Sequence, residues 1–159
     1  MNRQLVLYEE EFRRIVAVCE RLVRDANAGA VFLVDRAGQL IASAGRTDHL
    51  DTTSLASLTA GNIAATGGLA QLIGEKEFSI LFHEGERDHL HLSIVGQRAI
   101  LVVLFDAKSS LGLVRLRVKR DSEELTRIFE DLQKKLEAPG GPSPFAEITD
   151  DDIDNLFRE

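Results

Sequence analysis

Among residues able to hold a metal, His83, His89 and His91 lie closest together. His89 and His91 are two apart, so on an extended strand both imidazoles point the same way. With His83 one hairpin back, a three-histidine ligand set is conceivable. No cysteine or carboxylate pair nearby completes it, and a polar hairpin face shows the same alternation, so these residues read as a solvent-facing surface. Ser43, Ser54, Ser57 and His49 cluster in sequence, yet nothing resembles a nucleophile elbow or an ordered triad. Neither GxxxxGK[ST] nor GxGxxG occurs, and the glycines of Thr66-Gly67-Gly68 fall inside a predicted helix, the wrong setting for a phosphate loop. Cys19, the single cysteine, excludes an internal disulfide. It lies on an apolar helical stripe, where core packing is the expected role rather than reactivity. The expectation is a chain with no catalytic set, no metal, no cofactor and no nucleotide site of its own.

The elements around these residues follow from periodicity. Over 2–27, Leu5, Tyr8, Phe12, Ile15, Cys19, Leu22 and Ala26 recur at helical spacing, with Val16 and Val23 widening the stripe. Residues 30–35 are almost wholly apolar, a strand covered on both faces, and Arg36-Ala37-Gly38 turns the chain back through 39–45. Asp51 is an N-cap for a helix from Thr52 to about Ile73, with Gly74 as its stop. Strands at 78–84, 89–95 and 99–105 are separated by short loops at 85–88 and 96–98. The last of these, AILVVLF, has no polar face and should be central. A long helix begins near Ser110, with Leu111, Val114, Val118, Leu125, Ile128, Leu132 and Leu136 along one stripe. Residues 138–144 hold all three prolines and read as a linker between a domain at 1–137 and an acidic helical motif at 145–159.

Charge narrows the partners. The net charge is −7; residues 1–137 carry 18 basic and 20 acidic side chains, whereas 138–159 carry one and six. An acidic chain is poorly suited to nucleic acid, whose phosphates need clustered cations. Neither a signal peptide nor a membrane span is legible, so the expected location is cytoplasmic, away from membranes. Arg13, Arg14, Arg115, Arg117, Lys119 and Arg120 fall on the two outer helices, as either a basic face for a further partner or a solvated one.

The most informative stretch is TTSLASLTAGNIAATGGLAQLIG, 23 residues from Thr52 to Gly74 without a charged side chain. As a helix it is intrinsically poor, since Gly61, Gly67 and Gly68 each cost about 1 kcal/mol relative to alanine in a helix interior. Leu55, Leu58, Ala65, Leu69 and Leu72 suit a sheet-facing side. Ser57, Ala60, Gly61, Ala64, Gly68 and Gln71 form an opposite face where an ordinary surface helix carries Lys and Glu. Small residues at Ala60, Ala64 and Gly68 let another backbone approach, so this face is expected to be an interface. The competing reading, a helix buried on both sides within one domain, needs more chain than remains.

After the linker, Thr149 is an N-cap with Asp152 at N3, and Ile148 and Ile153 are placed for a hydrophobic staple. Ile153, Leu156 and Phe157 then make an i, i+3, i+4 anchor set. Too short to be stable alone, this reads as a linear motif that folds on a partner, or as a solubilising tail with incidental apolar residues.

The αββαβββα order resembles the Roadblock/dynein-light-chain (Roadblock/LC7) family. The resemblance is carried by LVLYEEEF at 5–12, VFLVD at 31–35, DTTSLASLTAGN at 51–62, SLGLVRLR at 110–117 and the tail at 144–157. It implies an α+β, longin-like sandwich: a five-stranded antiparallel sheet, first and last helices on one face, the middle helix on the other, plus the linker and a short C-terminal helix. It further implies a homodimer, paired through its middle helices and sheet edges, that activates a small Ras-like GTPase of the MglA type in bacterial cell polarity and gliding motility. Such a regulator reorganises the GTPase site without a trans arginine finger; further polarity proteins are possible partners. Carried onto this chain, the docking face is Ala56, Ser57, Ala60, Gly61, Ala64 and Gly68. The tail residues Phe145, Ile148, Ile153, Leu156 and Phe157 are expected to reach a second GTPase surface and modulate nucleotide exchange. Two alternatives remain: a scaffold of the same fold that changes no GTPase rate, and a PAS-like or profilin-like module with a small-molecule pocket. The second is disfavoured because sheet-facing positions offer no convergent polar groups.

Overall fold

The strand without a polar residue, β5 (Ala99–Phe105), lies at the centre of a five-stranded sheet of order β2-β1-β5-β4-β3. The computed structural model describes residues 9–137. In chain order the elements are α1 (Glu9–Asp25), β1 (Ala30–Asp35), β2 (Leu40–Gly45), α2 (Thr52–Leu72), β3 (Ile80–Glu84), β4 (His89–Val95), β5 and α3 (Leu111–Glu137). All four strand pairs are antiparallel. The observed αβ order and layering match the expected sandwich, while residues 1–8, the linker and the whole tail lie outside the described residues.

Because successive side chains alternate across a strand, the two central strands feed two cores. Val31, Leu33, Leu101, Val103 and Phe105 face α1 and α3, meeting Ile15, Cys19, Leu22, Val114, Val118, Leu125 and Ile128. Phe32, Val34, Ile100 and Val102 face α2, where they meet Ala56 and Ile63. One turn imposes a residue type by space alone. At Gly45, φ is +88° and a Cβ would stand 2.5 Å from the Gly29 carbonyl oxygen, the same oxygen that accepts the Arg46 amide at 2.8 Å. No side chain fits there.

α1 and α3 run antiparallel and are tied by ion pairs along their length. Lys135 reaches Glu11 at 2.5 Å, Arg14 reaches Asp131 at 3.0 Å, Arg21 binds Asp121 at 2.7 Å as well as Glu124, and Arg120 binds Asp25 at 2.7 Å. Asp121 and Glu11 are buried. Asp121 falls on the apolar stripe of α3 itself, and its cost there is offset by two guanidinium donors, Arg21 and Arg120 (Nε at 3.0 Å). Arg120 in turn holds the Asp25 carboxyl below its ordinary range. Of the outer-helix cations that could form either a basic face or a solvated one, Arg14 and Arg120 are engaged in this seam, and Arg13 bonds Glu9 within α1. Burial, reinforced by Asp121 and Glu20, pushes the Cys19 thiol up to about 12, so it packs as a small apolar group, as expected.

Two expectations need correction. The histidines do not share a solvent face. His83 pairs with Leu90 on the α2 side of the sheet, while His89 and His91 lie on the α1/α3 side, so no three-histidine set forms. His91 is buried (1% exposed), because α3 packs across β4, and neither ring nitrogen has a hydrogen-bond partner among the described residues. The second correction concerns the azimuth of α2. Leu58, Leu69 and Leu72, assigned to the sheet, are exposed, as is Ala65, and the buried positions are Ala56, Thr59, Ile63 and Ala70. Of the set assigned to the sheet, Leu55 alone packs on the core, half-buried. Bulky Phe32 and Ile100 already fill the sheet surface, so short side chains on the helix let it settle close.

Burial, with Arg115 adding to it, lowers the His91 pKa from the usual 6.5. The unfolded chain therefore takes up a proton near pH 6.5 that the folded chain refuses, and stability falls as pH drops below that value. For one proton the slope is at most about 1.4 kcal/mol per pH unit. Urea melts of wild type and His91→Phe between pH 7.5 and 5 should show a steeper acid loss in wild type. Equal slopes would mean that His91 is not held neutral by burial.

Candidate functional site

The α2 helix is firmly closed at both ends although its interior is a weak helix former. Asp51 caps the start, accepting from the Ser54 amide at 3.1 Å and the Ser54 hydroxyl at 2.7 Å, and these bonds pull its carboxyl below the ordinary range. At the far end the Glu75 amide bonds the Ala70 carbonyl and the Gly74 amide bonds Gln71, with Gly74 at φ +82°. That is a Schellman closure, and it needs a residue at ease in the left-handed region. Across the helix, Asn62 Nδ2 and His83 Nε2 lie 2.9 Å apart and join α2 to the edge strand β3. Thr66 turns its hydroxyl back onto the Asn62 and Ile63 carbonyls, leaving no polar reach outward.

What faces solvent is a surface of two adjoining strips. One carries Leu58, Ala65, Leu69 and Leu72; the other carries Ser57, Gly61, Ala64 and Gly68. The leucines are 74%, 55% and 84% exposed at 58, 69 and 72, a degree that a helix lying on a single core has no use for. At Gly61, Gly67 and Gly68 an added Cβ would meet nothing within 4 Å, so no contact among the described residues asks for glycine there. Three glycines in one helix, each a propensity cost, are thus unexplained by the described residues.

The residues expected at the docking face divide. Ser57, Gly61, Ala64 and Gly68 are exposed on α2, and Ala60 is half-buried beside Gly38 of the β1–β2 turn. Ala56 is turned into the sheet (1% exposed), so its side chain is withdrawn from that face. Phe145, Ile148, Ile153, Leu156 and Phe157 lie outside the described residues. The leucine strip was missed because leucine on an uncharged helix is ordinarily read as core. The signal that would have found it is the absence of any polar face on which to orient the helix.

Among the described residues no group of three His, Cys, Asp or Glu side chains is arranged to hold a metal ion, and no helix is long and apolar enough to cross a membrane. The expectation of wholly apolar sheet-facing positions is wrong at β4, where His91 and Ser93 are buried polar groups beneath α3. Neither lines the two cavities flanking the sheet that are lined by Gly29, Arg46 and His49 or by Phe12, Leu40 and Leu132.

Residues 14–105 match the model of the Roadblock/LC7 domain. Among solved structures, Myxococcus xanthus MglB is 67% identical over 77% of this chain and 92% of its own, with a TM-score of 0.75. The gliding protein MglB from Thermus thermophilus is 40% identical over 76% and 92%, at TM-score 0.72. A Roadblock/LC7 domain from Streptomyces avermitilis, 14% identical over 72% and 97% at TM-score 0.67, shares the fold. A comparison with curated protein sequences returns no match.

Gly61→Ala and Gly68→Ala should each raise the stability of the dilute, dissociated chain by about 1 kcal/mol, the difference in helix propensity. Denaturant melts over a concentration series check this. A gain that disappears at high concentration reports a second chain packed against the glycine; destabilisation at every concentration would contradict the open surroundings of these sites.

Proposed function

The chain belongs to the Roadblock/LC7 family, and from that premise we propose that it is an MglB-type regulator that activates a small Ras-like GTPase of the MglA type. The observation that carries the proposal is the exposed, uncharged surface of α2, with glycines that nothing among the described residues requires. Two copies paired through this helix and through a sheet edge would present a composite surface to one GTPase. Ser57, Gly61, Ala64 and Gly68 are the contact residues of that reading, with Ala60 at its margin; the likeness to MglB at 67% identity supports it.

Phosphoryl transfer asks a protein mainly to position groups and stabilise charge. A regulator can therefore accelerate hydrolysis by ordering the GTPase's own catalytic groups, supplying no arginine of its own. The absence of charge on α2 agrees with that mode. Cell polarity and gliding motility are the setting in which such a pair would work, in the cytoplasm. The tail residues Phe145, Ile148, Ile153, Leu156 and Phe157 would meet a second surface of the GTPase and tune nucleotide exchange, their acidic neighbours facing basic groups there.

Single-turnover GTP hydrolysis by the cognate GTPase, with and without this protein, tests the proposal. Wild type should accelerate hydrolysis, and Ala64→Arg, which sets a charge on the exposed side of α2, should abolish the acceleration while the chain stays folded. Binding without acceleration by wild type would leave a scaffold of the same fold and end the activator reading.

A further inference from the structure

A groove of about 790 Å³ opens where the start of α1, the end of α3 and the β1–β2 and β4–β5 turns converge. Its floor is apolar, made by Phe12, Ile15, Leu40, Phe129, Leu132 and Leu136. Phe12 and Leu40 keep 36% and 37% of their surface exposed, high for large apolar groups. On the rim Arg98 donates at 2.7 Å to the neutral Gln133 and pairs with no carboxylate among the described residues. The groove lies on the face of the sheet opposite α2, so the proposed GTPase surface does not account for it.

We infer that the chain's own tail, residues 145–157, docks in this groove in the free protein. Leu136 lines the groove and is one residue from the end of α3, and 22 residues follow Glu137. The Pro/Gly linker of 138–144 spans up to about 22 Å at roughly 3.1 Å per residue, enough to turn back and enter the groove from its α3 end. Ile153, Leu156 and Phe157 at i, i+3, i+4 are an amphipathic helix's anchor set, the shape a groove between two helices accepts. Residues 145–157 carry five acidic groups and no basic one, which suits the Arg98 side of the rim. Tethering supplies an effective concentration on the order of millimolar, so even a weak contact is populated. On the reading that the tail also serves the GTPase, this docking holds its anchors back until a partner competes for them.

The test needs no GTPase. In the full chain, Phe157 is replaced by a photo-crosslinking phenylalanine derivative, and crosslinked peptides are mapped by mass spectrometry in a mixture of isotope-labelled and unlabelled protein. Docking predicts crosslinks within one chain to the segments holding Leu40, Arg98 and Leu132, lost on Leu132→Asp. Should Leu132→Asp compromise folding, Ile153→Asp/Leu156→Asp, which alters only the tail, must abolish the same crosslinks. Crosslinks to α2, crosslinks between labelled and unlabelled chains, or a pattern unchanged by the tail substitutions would each overturn the inference. Crosslinks that appear only after deletion of residues 1–8 would assign the groove to the amino-terminal segment instead.

Discussion

A central strand with no polar face has to be covered twice, and the two covers here are unequal. β5 sets this condition: its odd and even side chains are buried on opposite faces of the sheet. Five strands at about 4.8 Å spacing span roughly 24 Å, and one helix is about 10 Å across. α1 and α3 together suffice for one face, whereas α2 alone cannot cover the other. The shortfall is visible at Leu81, Leu90, Ile94 and Leu104, which lie on the α2 side and remain half-buried. The back of α2 is itself apolar, so the layer meant to close the core carries the same deficit outward. The described residues leave surface that water disfavours, and on the proposed reading a second copy covers it.

The well-covered face is built in a different way. Along α1 and α3 the ion pairs step in antiparallel register from Glu11–Lys135 to Asp25–Arg120. Exposed pairs contribute little each, but Asp121 and Glu11 are buried and would be costly without their partners. These contacts fix how the two helices slide against each other more than they stabilise the chain. They also occupy Arg14 and Arg120, two cations that in sequence look free to meet an external partner. Charge on a helix predicts a partner only after the neighbouring helix has been allowed to neutralise it.

Most of the fold was readable because its elements have strong periods and clean stops. The apolar run at 30–35, the charge-free 99–105, Asp51 and Gly74 each declare one structural role, and the strand and helix order follows. What was not readable has one physical origin: burial belongs to layers, not to elements. His91 alternates as a polar face should, yet α3 lies over it. Asp121 looks like an interruption of the α3 stripe, and the cation that excuses it sits 100 residues away on α1. In α2 the hydrophobic pattern gives no direction, because a helix that is apolar or small all round has no polar side to point at water. Side-chain volume alone puts the leucines on the sheet, whereas close packing on Phe32 and Ile100 favours the small residues there.

That inversion alters what the surface can do. With the leucines inside, α2 would show only a shallow strip of glycine, alanine and serine, a place for backbone to approach but with little area to bury. With them outside, it shows a ridge and a groove side by side along 21 residues, about 31 Å of helix. On the proposed reading one helix must meet both a second copy and a GTPase, and two strips of different shape can be divided between them where one uniform strip cannot. An uncharged face steers nothing from a distance, so its selectivity has to come from fit at contact. Glycine is what such a fit requires where a partner's backbone comes closest, and the helix-propensity cost of Gly61 and Gly68 is then offset in the complex and not in the chain alone.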